Sequence, residues 1–232
     1  MNKRKVSITF TEDILGSLNN NPNIFEKFHE EKAPDAEKAA EERGTVIGTM
    51  TAEELATFNA AKIEKTTTVF PRNRDGKIKG LPLDACFCFD YQWRGFFKEA
   101  LQLGTEIGEA DMGKLSKWTI RKAVDSMVFV TERRIPFVFE GKPVTQISQL
   151  ERPLRAMTQQ GERICLARSE IIPAGTTVQF TLTWLENVNA KSTQRITELA
   201  LSWALNYGAL KGFGQWRGGG YGRFTHTMTE VA

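Results

Sequence analysis

The chain has 232 residues, of which 41% are hydrophobic and 25% charged, and it carries a net charge of only +3. These values are typical of a soluble globular protein of one large domain or two small ones, and this length can bury a core without disulfides or metals. No apolar run approaches the roughly 18 residues of a transmembrane span, and the basic N-terminus lacks an apolar signal-peptide core. The sequence therefore predicts a soluble intracellular protein rather than a membrane or secreted one.

The charges are unevenly distributed along the chain. Residues 26–54 carry nine acidic and four basic side chains, whereas residues 117–168 carry ten basic and five acidic ones. This polarity indicates an acidic flank and a separate face that could meet a polyanion. The alternative is an ordinary surface of mixed charge.

The three cysteines are Cys86, Cys88 and Cys165. A single residue between the first two is too little for the usual zinc-binding pair, and the two histidines, His29 and His226, offer no ligand spacing. We therefore expect buried free thiols and no metal site.

The chain begins with a strand and then changes character. Residues 5–10 alternate apolar and polar side chains, which predicts a first strand. Residues 24–64 are rich in Ala, Glu and Lys and contain capping-box patterns, so they are predicted to form an acidic insertion of one or two exposed helices. Residues 65–70 could form another strand, and residues 71–83 have the turn chemistry of a basic loop or hairpin.

Two helices are predicted in the middle of the chain. Residues 91–103 show an apolar period of helical type. The side chains expected to face the core are Trp93, Phe96, Phe97, Ala100 and Leu101. Arg94 and Lys98 are four residues apart and would point outward together. Residues 114–124 predict the second helix.

Short apolar segments then predict strands joined by polar turns. The predicted strands cover residues 126–130, 135–139, 163–168 and 176–186. Residues 150–161 are interpreted as a loop. Residues 169–175 contain Pro-Ala-Gly and are interpreted as the turn between the last two of these strands.

A helix and a strand flank a segment rich in glycine near the C-terminus. The apolar face of the helix is predicted to consist of Ile196, Leu199, Ala200, Trp203 and Tyr207. Gly208 follows as the expected C-terminal cap. Residues 209–224 contain six of the 19 glycines, and residues 221–229 predict a final strand.

The position of this glycine-rich segment limits what it can bind. Dinucleotide and P-loop motifs follow a strand and precede a helix, because they place a phosphate at a helix N-terminus. Here the order is reversed, so no nucleotide cofactor is expected. Glycine still lets the backbone approach a ligand closely. Arg217 and Arg223 could then bind phosphates, and Trp216 or Tyr221 could stack on bases. The alternative is a structural turn whose aromatic side chains fill the core.

The order of the predicted elements is a strand, helices, several strands, a helix and a strand. This α+β order fits a ferredoxin-like βαββαβ antiparallel sheet with helices on one face, elaborated by the insertion at 24–64. The chain from 1 to 232 is predicted to be a single domain.

The C-terminal segment resembles the signature of the RAMP superfamily, the RNA-binding subunits of CRISPR systems. The shared pattern is a helix that ends in a glycine-rich loop with an embedded arginine, followed by Gly-Tyr-Gly-Arg-Phe at the start of the last strand. It is carried by Gly212, Gly214, Trp216, Arg217, Gly218, Gly219, Gly220, Tyr221, Gly222, Arg223 and Phe224. Residues 170–180 and 91–101 are similar to the strand entry and the early helix of that superfamily.

The resemblance implies an RRM-like fold whose glycine loop lies close to bound RNA. It implies nucleic-acid binding by Gly212, Gly214, Arg217, Gly220, Gly222 and Arg223. Trp216 and Tyr221 join this site as stacking platforms. From charge and position we add Arg152, Arg155 and Arg168.

The chain also looks like small proteins of phages and prophages in which LERPLRAMT and GQWRGGGYGRF recur. This likeness implies a phage-encoded protein in the cytoplasm of a bacterial host cell. The expected partners are RNA or single-stranded nucleic acid, a second copy of the chain, or subunits of a CRISPR-type effector.

The first hypothesis is a nucleic-acid-binding protein without catalytic residues. RNA-processing members of the superfamily often use an early histidine as a general acid or base, but His29 lies in the predicted insertion and His226 in the last strand. Target-cleaving members use a loop aspartate, and no spacing distinguishes Asp75, Asp84 and Asp90. Neither paired carboxylates nor a Ser/His/Asp arrangement is present.

Two alternatives stay open. In one, the protein docks onto, mimics or assembles with a CRISPR effector subunit, and the acidic segment at 26–54 is the contact surface. In the other, it is a metal-independent endoribonuclease.

Overall fold

The structure is a computed structural model that describes residues 1–19, 67–74, 76, 78–110, 117–158, 161–185 and 196–231. The chain divides into two compact units. The first unit comprises Met1–Gly16, Phe70–Ser148 and Ile171–Ala232, and the second comprises Ser17–Val69 and Gln149–Glu170. The single-domain organisation stays a prediction. The predicted insertion at 24–64, with His29, and also Asp75 lie outside the described residues.

The described residues form a mixed α+β structure, as predicted, and their strand pairs are mostly antiparallel, although β11 pairs in parallel with β4. In chain order the strands are β1 (Asn2–Phe10), β2 (Ile14–Leu15), β3 (Leu18–Asn19), β4 (Thr68–Val69), β5 (Phe87–Phe89), β6 (Val128–Val130), β7 (Arg134–Pro136), β8 (Val138–Phe139), β9 (Lys142–Pro143), β10 (Ser148–Thr158), β11 (Gly161–Ile172), β12 (Thr177–Trp184) and β13 (Phe224–Glu230). The α-helices are α1 (Asp90–Glu106), α2 (Lys117–Met127) and α3 (Glu198–Lys211). Within these ranges no helix is both long enough and apolar enough to cross a membrane.

The central sheet of the first unit is built around β1. This strand is antiparallel to β12 on one side and to β13 on the other. β12 also pairs antiparallel with β6 and β8. Along β1, Val6, Ile8 and Phe10 are buried while Lys5 and Thr9 are exposed. This is the period of two expected for a strand with one face on the core, so the first strand prediction is confirmed.

Helix α1 buries the face that its sequence predicted. Trp93, Phe96, Phe97, Ala100 and Leu101 are all at most 4% exposed. Arg94 and Lys98 lie off this face, where Arg94 pairs with Asp90 at 3.1 Å and Lys98 with Asp125 at 2.5 Å. The clean separation of apolar and charged positions made this face predictable.

Helix α3 buries its predicted face only in part, since Ile196 and Ala200 are buried as predicted but the other members are not. Leu199 is 83% exposed, and Trp203 and Tyr207 are only partly buried. The buried residues are Ala200, Leu201, Ala204, Leu205 and Gly208. The prediction was wrong for Leu199 because apolar side chains lie on several sides of this helix, so its period does not select one face. Packing buries Leu201 and Leu205 together with the small residues Ala200, Ala204 and Gly208.

Gly208 is inside α3 and does not cap it, contrary to the prediction. The helix runs on to Lys211, and Gly212, with φ of 78°, is the capping residue. A Cβ on Gly208 would lie 2.0 Å from Cζ of Phe224. Gly208 is therefore the point at which the ring of Phe224 in β13 rests on the helix backbone.

Residues 150–161 were predicted to be a loop, but residues 148–158 form strand β10. In the second unit β11 lies between β10 and β4, and β3 pairs with β4. Pro153 lies within β10, and β10 stands at the end of this strand order. An edge strand tolerates proline because one side of its backbone needs no ladder partner.

Residues 169–175 were predicted to be the turn that joins the strands on either side. The Pro-Ala-Gly turn does join β11 to β12, but β11 continues to Ile172, so the turn is confined to residues 173–176. The last two residues of β11 pair with β2, whereas β12 joins β1. The predicted strand at 135–139 is likewise interrupted at Phe137, between β7 and β8.

The prediction of buried free thiols is confirmed for Cys86 and Cys88. The side chain of Cys165 lies outside the described ones. Burial raises the pKa of Cys88 from 9.0 to about 12, although Nε1 of Trp93 donates a hydrogen bond to its sulfur at 3.3 Å. The buried thiol is therefore neutral at physiological pH.

We expect Cys88 to resist alkylation in the native protein at mildly alkaline pH, because the reactive thiolate is suppressed and buried. Since the folded pKa is raised, the contribution of Cys88 to stability is present below pH 9.0 and declines as pH rises toward 12. Mass spectrometry after iodoacetamide treatment measures the labelling. The same protein in denaturant is the control, and it should be labelled readily. Equal labelling rates in both states would contradict the burial.

Candidate nucleic-acid interface

The glycine-rich segment between α3 and β13 is folded closely on itself. The amide of Phe213 donates to the carbonyl of Gly222 at 2.8 Å, and the amide of Gly222 donates to the carbonyl of Asp13 at 2.8 Å. A short 3-10 turn, Arg217–Gly219, lies between these contacts, preceded by Trp216 with φ of 52°. The segment is therefore a defined loop attached to the chain after β1.

Gly212 and Gly222 are buried where the two ends of this loop cross. A Cβ on Gly222 would lie 1.9 Å from the carbonyl oxygen of Phe213, and a Cβ on Gly212 would lie 2.3 Å from that of Tyr221. Both residues have positive φ, of 69° and 78°. The loop's own fold thus requires glycine at both positions. A contact of either residue with nucleic acid stays a prediction.

Gly214 and Gly220 occupy less crowded positions. A Cβ on Gly214 would lie 2.9 Å from the carbonyl oxygen of Leu15, so this glycine allows the loop to approach β2. Gly220 lies at the end of the 3-10 turn, and a Cβ placed on it would come no closer than 3.8 Å to the nearest atoms, which belong to the Arg223 guanidinium. Of the four predicted glycines, Gly220 has the most open surroundings.

The aromatic residues of the loop separate into a buried anchor and a stacked pair. Phe213 is 5% exposed and stacks on Trp93 of α1, with ring centroids 4.2 Å apart. Trp216 is 41% exposed and stacks on the half-buried Tyr221 at 5.2 Å. The exposed ring of Trp216 offers the kind of flat surface on which nucleobases stack.

Arg217 and Arg223 differ in their surroundings. Nη1 of Arg217 lies 2.8 Å from Oε2 of Glu99 in α1. The other oxygen of the same carboxylate, Oε1, lies 3.3 Å from Nζ of Lys211. Partial burial raises the pKa of Glu99, but the hydrogen bonds and charges of Arg217 and Lys211 outweigh it and hold the pKa below its ordinary value. Arg223 is exposed and forms no ion pair with any residue that the structure describes.

The three other predicted arginines lie in β10 and β11 of the second unit. Arg152 is 6% exposed, and its Nη1 donates to the hydroxyl of Ser169 at 3.0 Å. Arg168 pairs with Glu151, whereas Arg155 is exposed. The structure thus brings Arg152 next to the strand of Arg168, and of the three it buries Arg152 most deeply. Their role in binding stays a prediction.

Sequence reasoning missed Glu99 and Lys211 as neighbours of the loop. Glu99 is more than a hundred residues away from Arg217 along the chain, and nothing in its local pattern distinguishes it from other surface glutamates of a helix. Lys211 was visible as a basic residue in the last turn of α3, where a cation favours the helix dipole.

The candidate acids and bases are dispersed. His226 is half-buried in β13, and burial lowers its pKa. Asp90 pairs with Arg94 at the start of α1, and Asp84 is exposed in the loop before β5. Within the described ranges, no group of three or more His, Cys, Asp or Glu side chains is placed to hold a metal ion.

Comparison with solved structures finds chains that are similar to this one. No protein-family model and no curated protein sequence matches the chain. A chain of a solved type IV-B CRISPR complex is similar, with 13% sequence identity and a TM-score of 0.45, over 99% of this chain and 91% of that one. An identity and a TM-score this low do not establish a shared activity, and the resemblance to the RAMP superfamily stays a prediction.

Proposed function

We propose that the protein binds RNA, or single-stranded nucleic acid generally, through the loop between α3 and β13. The observation that carries this proposal is the exposed Trp216, stacked on the half-buried Tyr221, in the same loop as Arg217 and Arg223. An aromatic platform next to arginines combines base stacking with phosphate binding, and neither contact depends on base sequence. The anchor at Phe213 would hold this surface in place before a ligand arrives.

The proposal includes a ferredoxin-like fold of the RAMP type. The order of strands and helices in the first unit supports this part of the proposal. The strand order β13-β1-β12-β6 is antiparallel throughout. Helices α1 and α2 lie between β1 and β6 in the chain, and α3 lies between β12 and β13. This is the connectivity expected of a βαββαβ unit. Together with the motif resemblance, it is the basis for proposing a phage-encoded relative of CRISPR subunits.

We expect that replacing the arginines or the exposed tryptophan of the loop weakens binding without unfolding the protein. Arg217→Gln with Arg223→Gln should lower the affinity. It should also reduce the slope of log K against log salt concentration by about 0.7 for each lost phosphate contact. Trp216→Ala should lower affinity by about 5- to 150-fold, since stacking contributes roughly 1–3 kcal/mol per base. Fluorescence anisotropy with matched single-stranded RNA and DNA, at two salt concentrations, measures both effects.

The control variants carry the same chemical changes elsewhere in the first unit. Arg134→Gln with Lys142→Gln removes two exposed cations, and Phe129→Ala removes an aromatic ring that is 40% exposed. Loop variants that bind as well as these controls would refute the loop as the binding site. In the proposed function the protein binds RNA without cleaving it, so RNA incubated with the protein in EDTA should stay intact.

A further inference from the structure

A groove lies between α1 and α2 on the surface of the first unit. It has a volume of about 580 Å³ and is lined by Gly95, Lys98, Glu99, Arg121, Lys122 and Asp125. Gly95 leaves part of its floor open, because a Cβ there would meet nothing within 4 Å. The groove thus offers three cations and two carboxylates around an accessible depression.

The groove is continuous with the glycine-rich loop through Glu99. This residue lines the groove and also pairs with Arg217 of the loop and Lys211 at the end of α3. The cations of the combined surface are Lys98, Arg121, Lys122, Lys211 and Arg217. Among the described residues that line the groove, the carboxylates are Glu99 and Asp125, so these described residues carry an excess of positive charge.

The carboxylates hold cations that a phosphate could take over. Oδ1 of Asp125 pairs with Nζ of Lys98 at 2.5 Å, and the side chain of Asp125 is 51% exposed. Glu99 is 41% exposed. Ion pairs this exposed are weak, because water screens both charges. Among the residues that the structure describes, Arg121 donates only to the neutral side chain of Gln102, at 3.0 Å.

Lys122 adds a cation that is not committed to a carboxylate. It is exposed on α2 and forms no ion pair within the described part of the chain. A phosphate entering the groove would therefore find one such lysine, and one arginine bound only to an amide. Each cation that a phosphate contacts would release condensed counterions from the nucleic acid, which favours binding.

We propose that the groove between α1 and α2 is a phosphate-binding surface that extends the loop site, and that Glu99 and Asp125 compete with nucleic-acid phosphates for its cations. This rests on the proposed function, since the same strand would stack on Trp216 and pass its backbone along the groove. The carboxylates keep the cations ordered in the free protein, and they make binding weaker than the cations alone would allow.

The test replaces the carboxylates and the cations separately. Glu99→Gln and Asp125→Asn keep the side-chain shapes and should each tighten the binding of single-stranded RNA by about two- to fivefold. Arg121→Gln with Lys122→Gln should weaken it by roughly tenfold and reduce the salt dependence. Asp125 is exposed and pairs with Lys98 of α1, whereas Glu99 pairs with Arg217 of the loop, so Asp125→Asn tests the proposal even if Glu99→Gln loosens the loop.

The matched control is Lys5→Gln with Lys142→Gln, which removes the same charge from two exposed strand positions outside the groove. The proposal for the groove is refuted if the Arg121→Gln, Lys122→Gln variant binds RNA as this control does. It is also refuted if the Asp125→Asn variant binds RNA no more tightly than wild type. If only the groove fails, Trp216→Ala still weakens binding. If wild type binds no single-stranded nucleic acid, both proposals fall. Circular dichroism melts establish that each variant is folded.

Discussion

Gly222→Ala is expected to destabilise the protein by about 2–5 kcal/mol. The new methyl carbon would lie 1.9 Å from the carbonyl oxygen of Phe213, which is backbone and cannot swing aside. Left-handed backbone costs a residue with a Cβ roughly 1–2 kcal/mol, and forced overpacking costs about 1–3 kcal/mol more. The hydrogen bonds from Gly222 to Asp13 and from Phe213 to Gly222 would be disturbed at the same time. Denaturant unfolding followed by far-UV circular dichroism measures the loss.

Gly218→Ala is the matched control for this effect. Gly218 lies in the same loop, its φ is not positive, and a Cβ there would meet nothing within 4 Å. The free energy of unfolding of the Gly218→Ala variant should stay within about 0.5 kcal/mol of the wild-type value. A Gly222→Ala protein of wild-type stability that has lost RNA binding would instead assign this glycine to ligand contact. The comparison therefore separates the two explanations for the glycine-rich motif.

Trp93→Ala is expected to cost about 3–5 kcal/mol of stability, as the loss of a fully buried tryptophan usually does. Its ring stacks on Phe213 at 4.2 Å and contacts Phe180 and Phe224 at 5.0 and 5.6 Å. Removing it would leave a cavity among the rings of α1, β12, β13 and the loop. Calorimetry or denaturant unfolding, read by circular dichroism, measures the cost.

Trp216→Ala is the control for Trp93→Ala, since both remove an indole ring. Trp216 is 41% exposed, so its removal should change stability by less than about 1 kcal/mol. Trp93→Ala should also weaken RNA binding indirectly, because Phe213 would lose the ring that anchors the loop. Similar stability losses in the two variants would contradict the separation of buried anchor and stacked pair.

The two helices α1 and α3 show where sequence patterns succeed and fail. In α1, Arg94 and Lys98 separate the apolar positions into a single stripe, so its buried face followed from periodicity alone. In α3, Leu199 and Leu201 are equally apolar, yet one is 83% exposed and the other fully buried. The ring of Phe224 needs a neighbour without a Cβ, and Gly208 supplies it. No local pattern contains that requirement.

The glycine-rich loop shows the same limit at the candidate site. Its composition predicted a turn with arginines and aromatic rings, and the structure places such a turn between α3 and β13. Phe213 and Trp216 are both aromatic residues next to glycine, but one is an anchor in the core and the other is exposed. The partner of Phe213 is Trp93, which is distant in sequence.

By itself, the sequence determined the α+β class, the inward face of α1, the first strand and the place of the loop, because each depends on neighbours three or four residues apart or fewer. The tertiary structure alone decided that 148–158 form an edge strand, which face of α3 is buried, and that Glu99 binds Arg217 and Lys211. Those features depend on contacts between segments far apart in the chain. The local sequence of one segment allows several arrangements, and the shape and charge of the segment that packs against it decide among them.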